Sequence, residues 1–262
     1  MTTLCVAFVE WPEGLLLNQP QWSQLKKSIA AAHPDILVTN ELPFGSWIAE
    51  NSVFSENEAR LSIRAHEQGL EGLMDLNLSA VISSRPVRNG KRLANEAFVL
   101  EKGTVRRLHR KQYFPNEPGW FETQWYAGDG SGFDVAEVLG VRVGVLLCTD
   151  AMFNEHARAF GKQKASLIVI PRATGANIEP WKIAGAMASL VAGAYVVSSN
   201  RIGKCKGGIQ FGGGGFAYAP HGRLLAVTDS THPVQIIELD PATAEGAQRE
   251  YPCYVVEREV NE

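Results

Sequence analysis

Cys148 closes the apolar run VRVGVLLC, and a helical pattern begins a few residues later. A thiol at a strand's C-terminal end, near a helix N-terminus, stands where α/β sheets bind ligands and where the helix dipole favours thiolate. Taken alone it reads first as a buried core thiol, because isolated cysteines behave as small hydrophobes. Glu41, in PDILVTNELPFGSW, directly follows another apolar run. Its carboxylate would share a sheet edge with Cys148 if the two strands run parallel, and partial burial would raise its pKa into the range of a general base. Lys111, in TVRRLHRKQYFPNEPGWFE, follows a hairpin strand and precedes a Pro-containing loop that would carry it towards a cleft. Singly, Glu41 and Lys111 read as solvated strand-end charges. Together, the three supply what attack on a carbonyl carbon needs: a nucleophile, a proton carrier and an oxyanion stabiliser.

The elements that must position them are legible in outline. Short apolar runs rich in β-branched residues predict strands at 4–9, 35–39, 78–83, 97–100, 141–147, 167–170, 194–198 and 234–239. Helical patterns lie between several of them, at 22–32, 55–68, 154–161 and 178–192. The class is α/β. Segments 93–100 and 104–108 flank a Glu-Lys-Gly turn and read as a hairpin, as do 216–218 and 224–227 around Pro220-His-Gly222, so the sheet must be mixed. No internal repeat or linker-like stretch interrupts the chain, which predicts one domain over residues 1–262.

Composition narrows the function classes. The 262 residues are 45% hydrophobic and 20% charged, ordinary for a globular protein with a substantial core. The net charge of −3 comes from 25 basic and 28 acidic residues that are well mixed, with no basic stripe for a phosphate backbone, so nucleic acid is not expected as a partner. The opening MTTLCVAFVEWPEG has no basic residue ahead of a short apolar run, which argues against a leader or membrane span and predicts a cytoplasmic location. Cys5, Cys148, Cys205 and Cys253 are far apart, with neither a C-x-x-C pair nor a zinc-ligand spacing, so neither a redox pair nor a metal site is expected.

Glu41 in NELPFG, Lys111 in RKQYFP and Cys148 in LLCTDAMF resemble, in order and surroundings, the Glu-Lys-Cys triad of the nitrilase (carbon–nitrogen hydrolase) superfamily. The likeness covers almost the whole chain. NEAFVLEKGTVRRLHRK looks like the strand–turn–strand leading to the family's lysine, and SLIVIPRATGA like the strand and loop after the cysteine helix. PNEPGWFETQWYAGDGSGF is similar to the Pro-Gly-aromatic-aromatic-Glu segment of N-carbamoylputrescine amidases and their relatives, and it places Glu122 as a second carboxylate that positions the lysine and the substrate. Glu117, in the same loop, is its rival. The resemblance implies a four-layer α-β-β-α sandwich with mixed β-sheets, no cofactor, a homodimer formed through helices near the cysteine, and hydrolysis of a small amide or N-carbamoyl amine through an acyl-cysteine. Nitrile hydrolysis and a non-catalytic, partner-binding role are the alternatives. A metal-dependent hydrolase is a third, weakened by the absence of Asp/His clusters at ligand spacing.

Thr149, Trp47, Trp120, Phe121, Ala151, Met152, Phe153, Arg172 and Ala173 adjoin the proposed catalytic loops and are the expected substrate-binding residues, with the N–H of Thr149 joining Lys111 at the oxyanion. Arg172 reads either as a partner for a substrate carboxylate or as a surface arginine. Ala151-Met152 offers no arginine where N-carbamoyl-amino-acid hydrolases carry one. His109 reads as a strand-surface residue, His156 as a helix-surface residue, and Asp150 as a cap of the helix that follows. The run Gly212–Gly215 has no Gly-Lys-Ser/Thr after it and reads as close backbone packing near the site. The helix at 178–192, rich in Ala, Gly and Met, fits burial on both faces, within the subunit or against a partner.

Overall fold

A computed structural model of the chain describes residues 3–256. The ends of the expected 1–262 unit, residues 1–2 and 257–262, lie outside the described residues. The strands form two sheets. The first contains β1 (Leu4–Pro12), β2 (Ile36–Val38), β3 (Ala80–Asn89), β4 (Arg92–Glu101) and β5 (Thr104–Arg110), extended past β1 by β10 (Asn200–Lys204) and β11 (Gln210–Gly212), with β14 (Val234–Leu239) also on β1. The second contains β6 (Ala136–Val138), β7 (Val141–Val145), β8 (Leu167–Val169), β9 (Tyr195–Ser198), β12 (Phe216–Tyr218) and β13 (Leu224–Val227). Both are mixed: β1–β2–β3 and β7–β8–β9 are parallel, while the β3–β4, β4–β5 and β12–β13 pairs are antiparallel.

Alternation along each strand determines the layers. Val6 and Phe8 of β1, Ile36 and Val38 of β2, and Ala97 and Val99 of β4 meet Val143 and Val145 of β7 and Leu167 and Val169 of β8 in one core between the sheets. The opposite faces carry helices. Ala7, Val9 and Trp11 pack with Trp22, Leu25 and Ile29 of α1 (Pro20–Ala32), alongside α2 (Glu56–Met74). Ile168, Val196 and Phe216 pack with Phe160 of α4 (Asn154–Lys162) and Ala188 and Ala192 of α5 (Glu179–Ala192). The result is the expected α-β-β-α order. Short helices α3 (Glu122–Trp125) and α6 (Pro241–Ala247) complete it. Among the described residues, no helix is long and apolar enough to cross a membrane.

Several elements differ from expectation. β3 continues through Pro86 to Asn89; β2 pairs only with Ala80–Ile82, so on that side Pro86 has no ladder bond to break. The strand expected over 141–147 stops at Val145 because the chain turns sharply to place Cys148 at φ 49°. α5 is buried along Gly185, Ala188, Ser189 and Ala192 and exposes Ile183 and Met187 on its other side.

Candidate active site

Glu41 and Cys148 do not share a sheet edge. They follow β2 and β7, which belong to different sheets, so the site lies where the two sheets face one another. Two bonds to one segment tie the halves: Cys148 N–H donates to Pro171 O (3.0 Å), and Glu41 N–H donates to Arg172 O (3.2 Å). Lys111 arrives by a different device. The β4–β5 register slips between Ala97 and Phe98, leaving Leu108 without a cross-strand partner, so that His109 stands opposite Ala97 and Lys111 N–H reaches Asn95 O. A bulge of this kind re-aims every side chain beyond it. Here it turns His109 and Lys111 inward.

Lys111, Glu41 and Glu122 are fully or almost fully buried. Lys111 Nζ donates to Glu41 Oε1 (2.8 Å) and to Glu122 Oε2 (2.6 Å). An ammonium has three N–H donors, so one is left for another acceptor. Asn95, on the inner face of β4 with Ala97 and Val99, donates from Nδ2 to the same Glu41 Oε1 (2.7 Å). Glu41 Oε2 is buried without a donor. Burial acts against the Lys111 charge, but the carboxylates of Glu122 and Glu41 outweigh it and hold the ammonium well above its ordinary pKa. Burial raises Glu122 to about 8 against the opposing pull of Lys111. Burial, and then the Glu41 carboxylate, push the Cys148 thiol well above its usual range, with Lys111 and the Ala173 N–H pulling the other way. The resting sulfur is therefore a thiol that needs a base. Its positive φ, rare for a residue with a Cβ, is local strain of the sort concentrated at functional sites.

Asp150 does not cap α4, whose N-terminus has no side-chain cap; it caps the 3-10 turn Cys148–Met152 instead, accepting the Leu147 N–H. Its fully buried carboxylate accepts from the N–H groups of Leu147 (3.1 Å), Gln112 (3.2 Å) and Tyr113 (3.1 Å) and bonds His109 Nε2 (2.9 Å). It thus ties the turn holding Cys148 to the chain after Lys111. His109 is buried beneath Phe133 rather than on the surface. His156 is half-buried on α4, bonded to the Tyr113 hydroxyl (2.8 Å) and stacked on Phe133.

A cavity of about 290 Å³ opens onto Cys148 and Glu122. Of the expected binding residues, Thr149, Trp120, Met152 and Ala173 line it; Trp47, Phe121, Ala151, Phe153 and Arg172 do not. Trp47 lines a separate groove of about 530 Å³ against α2 and bonds Gly119 O through its indole N–H (3.1 Å). Phe121 N–H is tied to Ala49 O, Ala151 lies in the core around α4 and α5, and Phe153 stacks on Tyr113 at 3.5 Å. Arg172 is fully buried, not on the surface. Pro115, Thr174, Gly175 and Trp181 complete the wall, and Glu117 lies on it as well as Glu122. Trp181 sits in the first turn of α5; helical periodicity located that turn but not the cleft it faces. Gly215 has no room for a side chain, since a Cβ there would meet Ser198 O at 2.7 Å.

The family model for carbon-nitrogen hydrolase matches residues 13–249. An (R)-stereoselective amidase of Pseudomonas sp is 25% identical over 70% of this chain and 65% of its own length. The N-carbamoylputrescine amidase of Solanum lycopersicum is 31% identical over 55% of this chain and 53% of its own length. The chain thus spans between about half and two thirds of these curated relatives. The solved structure of a carbon-nitrogen hydrolase from Helicobacter pylori G27 shares the fold, with a TM-score of 0.83 at 21% identity over 96% of this chain and 94% of that one.

Proposed function

The chain belongs to the carbon-nitrogen hydrolase family, and from that premise we propose that it hydrolyses a small aliphatic amide or N-carbamoyl amine through an acyl-enzyme on Cys148. One observation carries the reading: Lys111 bridges Glu41 and Glu122 inside a buried cluster with Cys148, and Glu41 Oε2 is left without a donor. That oxygen takes the thiol proton as sulfur attacks the carbonyl carbon. The third N–H of Lys111 and the N–H of Thr149 hold the tetrahedral oxyanion. As the intermediate collapses, Glu41 passes the proton to nitrogen and ammonia leaves. Water, deprotonated by Glu41, then attacks the thioester carbon; the acid is released and the proton returns to sulfur. Glu122 keeps Lys111 charged and in place.

The cavity supports a small, uncharged acyl portion. Its walls include Pro115, Trp120, Met152 and Trp181, and its charged lining residues, Glu117 and Glu122, are both acidic. A substrate carboxylate would meet like charge there. The names of the curated relatives, an (R)-stereoselective amidase and an N-carbamoylputrescine amidase, are compatible with this range of substrates. Ammonia release across a panel of aliphatic amides, N-carbamoyl amines, their carboxylate-bearing analogues and nitriles, with Cys148→Ala as control, tests the reading. Turnover of neutral amides, abolished in Cys148→Ala, is expected; undiminished turnover in that variant would end it.

Two further expectations accompany it. The exposed Ile183 and Met187 of α5 support a homodimer through this helix, and sedimentation of a monomer at micromolar concentration would count against it. Four free cysteines suit a reducing compartment such as the cytoplasm; fractionation of cells making the tagged protein checks this. The core shared by both sheets supports one domain, for which a single cooperative unfolding transition is expected.

A further inference from the structure

Among the described residues, Arg172 is a buried cation that no carboxylate meets directly. Its Nε donates to Ser198 Oγ (2.7 Å), and its terminal nitrogens donate to Thr174 Oγ1 (3.1 Å) and to Gly214 O (2.8 Å). All three acceptors are neutral. The guanidinium carbon lies 4.7 Å from the Phe216 ring centre and 5.9 Å from that of Trp181. Burial lowers its pKa to about 10, which still leaves it charged at neutral pH. Arg201, the other arginine buried to this degree among the described residues, is paired with Glu13. A buried charge is costly unless something balances it.

The imbalance lies next door. With Cys148 as a thiol and Glu122 ionised, as it is above about pH 8, Lys111, Glu41 and Glu122 together carry one excess negative charge; moving the thiol proton to Glu41 puts a negative charge on sulfur whether or not Glu122 is ionised. Arg172 belongs to the segment bonded to both groups: Pro171 O accepts from Cys148 N–H, and Arg172 O accepts from Glu41 N–H. We propose that Arg172 is the counter-charge of the buried Glu41–Lys111–Glu122–Cys148 cluster, stabilising the Cys148 thiolate through the field of its guanidinium without touching the substrate. This rests on the reading of Cys148 as the nucleophile.

The other charged and titratable groups around the two residues leave that role open. Asp150 is saturated by three backbone N–H groups and the His109 ring, and Arg201 is paired with Glu13. Tyr218, on β12, is held neutral chiefly by burial, with Glu179 of α5 adding to the effect. Glu10, on β1, has no cation partner among the described residues; it accepts Gly214 N–H (2.7 Å) while Arg172 bonds Gly214 O, so a residue separates the two. Once deprotonated, Cys148 is the group whose negative charge acts most strongly on the guanidinium.

The test is the rate at which iodoacetamide modifies the Cys148 peptide, followed by mass spectrometry across pH, in wild type, R172Q and R172K. R172Q should move the inflection up by about one pH unit and slow modification at neutral pH about tenfold, while R172K, which keeps the charge but not the planar fork, should restore the wild-type inflection. An unchanged profile in folded R172Q overturns the assignment. If R172Q does not fold, R172K decides: the wild-type inflection supports the proposal, and an upward shift contradicts it. A wild-type profile in R172Q, combined with a raised KM for carboxylate-bearing amides alone, would instead mean that the guanidinium awaits a substrate anion. Failure of iodoacetamide to modify wild-type Cys148 at any pH would sink the nucleophile reading itself, a result distinct from a failure of the Arg172 assignment.

Discussion

Two carboxylates near Cys148, Glu41 and Asp150, are equally buried and differently used. Asp150 accepts three backbone N–H groups and bonds one imidazole, so both its oxygens are engaged. Glu41 spends one oxygen on Lys111 and Asn95 and leaves the other bare. A buried polar atom without a partner costs free energy, so folds retain few of them. Saturation marks Asp150 as the group that builds the site. On the proposed mechanism, the bare oxygen of Glu41 is the one that takes the thiol proton.

Substitutions should separate the two. Glu41→Gln keeps an oxygen for Lys111 and Asn95 but removes the base, so kcat should fall about 10³-fold with the protein still folded; a fall of less than tenfold in steady-state kinetics would erase the distinction. Lys111→Ala should lower kcat about 10²-fold with substrate still bound, as the loss of an oxyanion donor does, and near-normal turnover would defeat its assigned role. Asp150→Asn should act on folding instead. Breaking a buried charged network costs about 3 kcal/mol, which for a chain of this size lowers Tm by roughly 6–12 °C, and kcat of the folded fraction should stay within tenfold. A thermal melt that leaves Tm unchanged would contradict this.

His66 offers the mildest version of the same contrast. Its Nε2 accepts Phe44 N–H (3.3 Å), and its Nδ1 donates to Ser62 O (2.8 Å). Burial lowers its pKa from 6.5 to about 4. The unfolded chain therefore takes up the proton first as pH falls, so this contribution is intact above about pH 6.5 and is lost as pH falls through about 4. The loss should amount to about 1 kcal/mol at pH 5.5. Denaturant titrations of wild type and His66→Gln should show a shallower acid slope in the variant; equal slopes would refute the assignment.

What the sequence revealed and what it hid follow from period and from partners. Glu41, Lys111 and Cys148 were visible because each closes a run of strand-like residues, and such runs can be read locally. That Glu41 and Cys148 belong to facing sheets was not visible, since alternation locates a strand without saying which sheet it joins. His109 was misread because the β5 bulge, set by pairing with β4, reverses the inward face after Leu108. The strands Asn200–Lys204 and Gln210–Gly212 were missed because NRIGK and QFG contain glycine and polar residues in place of a β-branched run. Arg172 was read as a surface residue or a carboxylate partner because a charged residue is expected outside unless its buried partners are known, and the wider role of Asp150 was hidden because Gln112, Tyr113 and His109 are remote from it in sequence.

Acid-quenched intact-mass analysis during the first turnover of propionamide reads whether Cys148 carries the acyl group. One acyl adduct per chain is expected, mapped to the Cys148 peptide, formed together with one equivalent of ammonia and absent in Cys148→Ala. Ammonia release by Cys148→Ala at the wild-type rate, with no adduct on either protein, would contradict it.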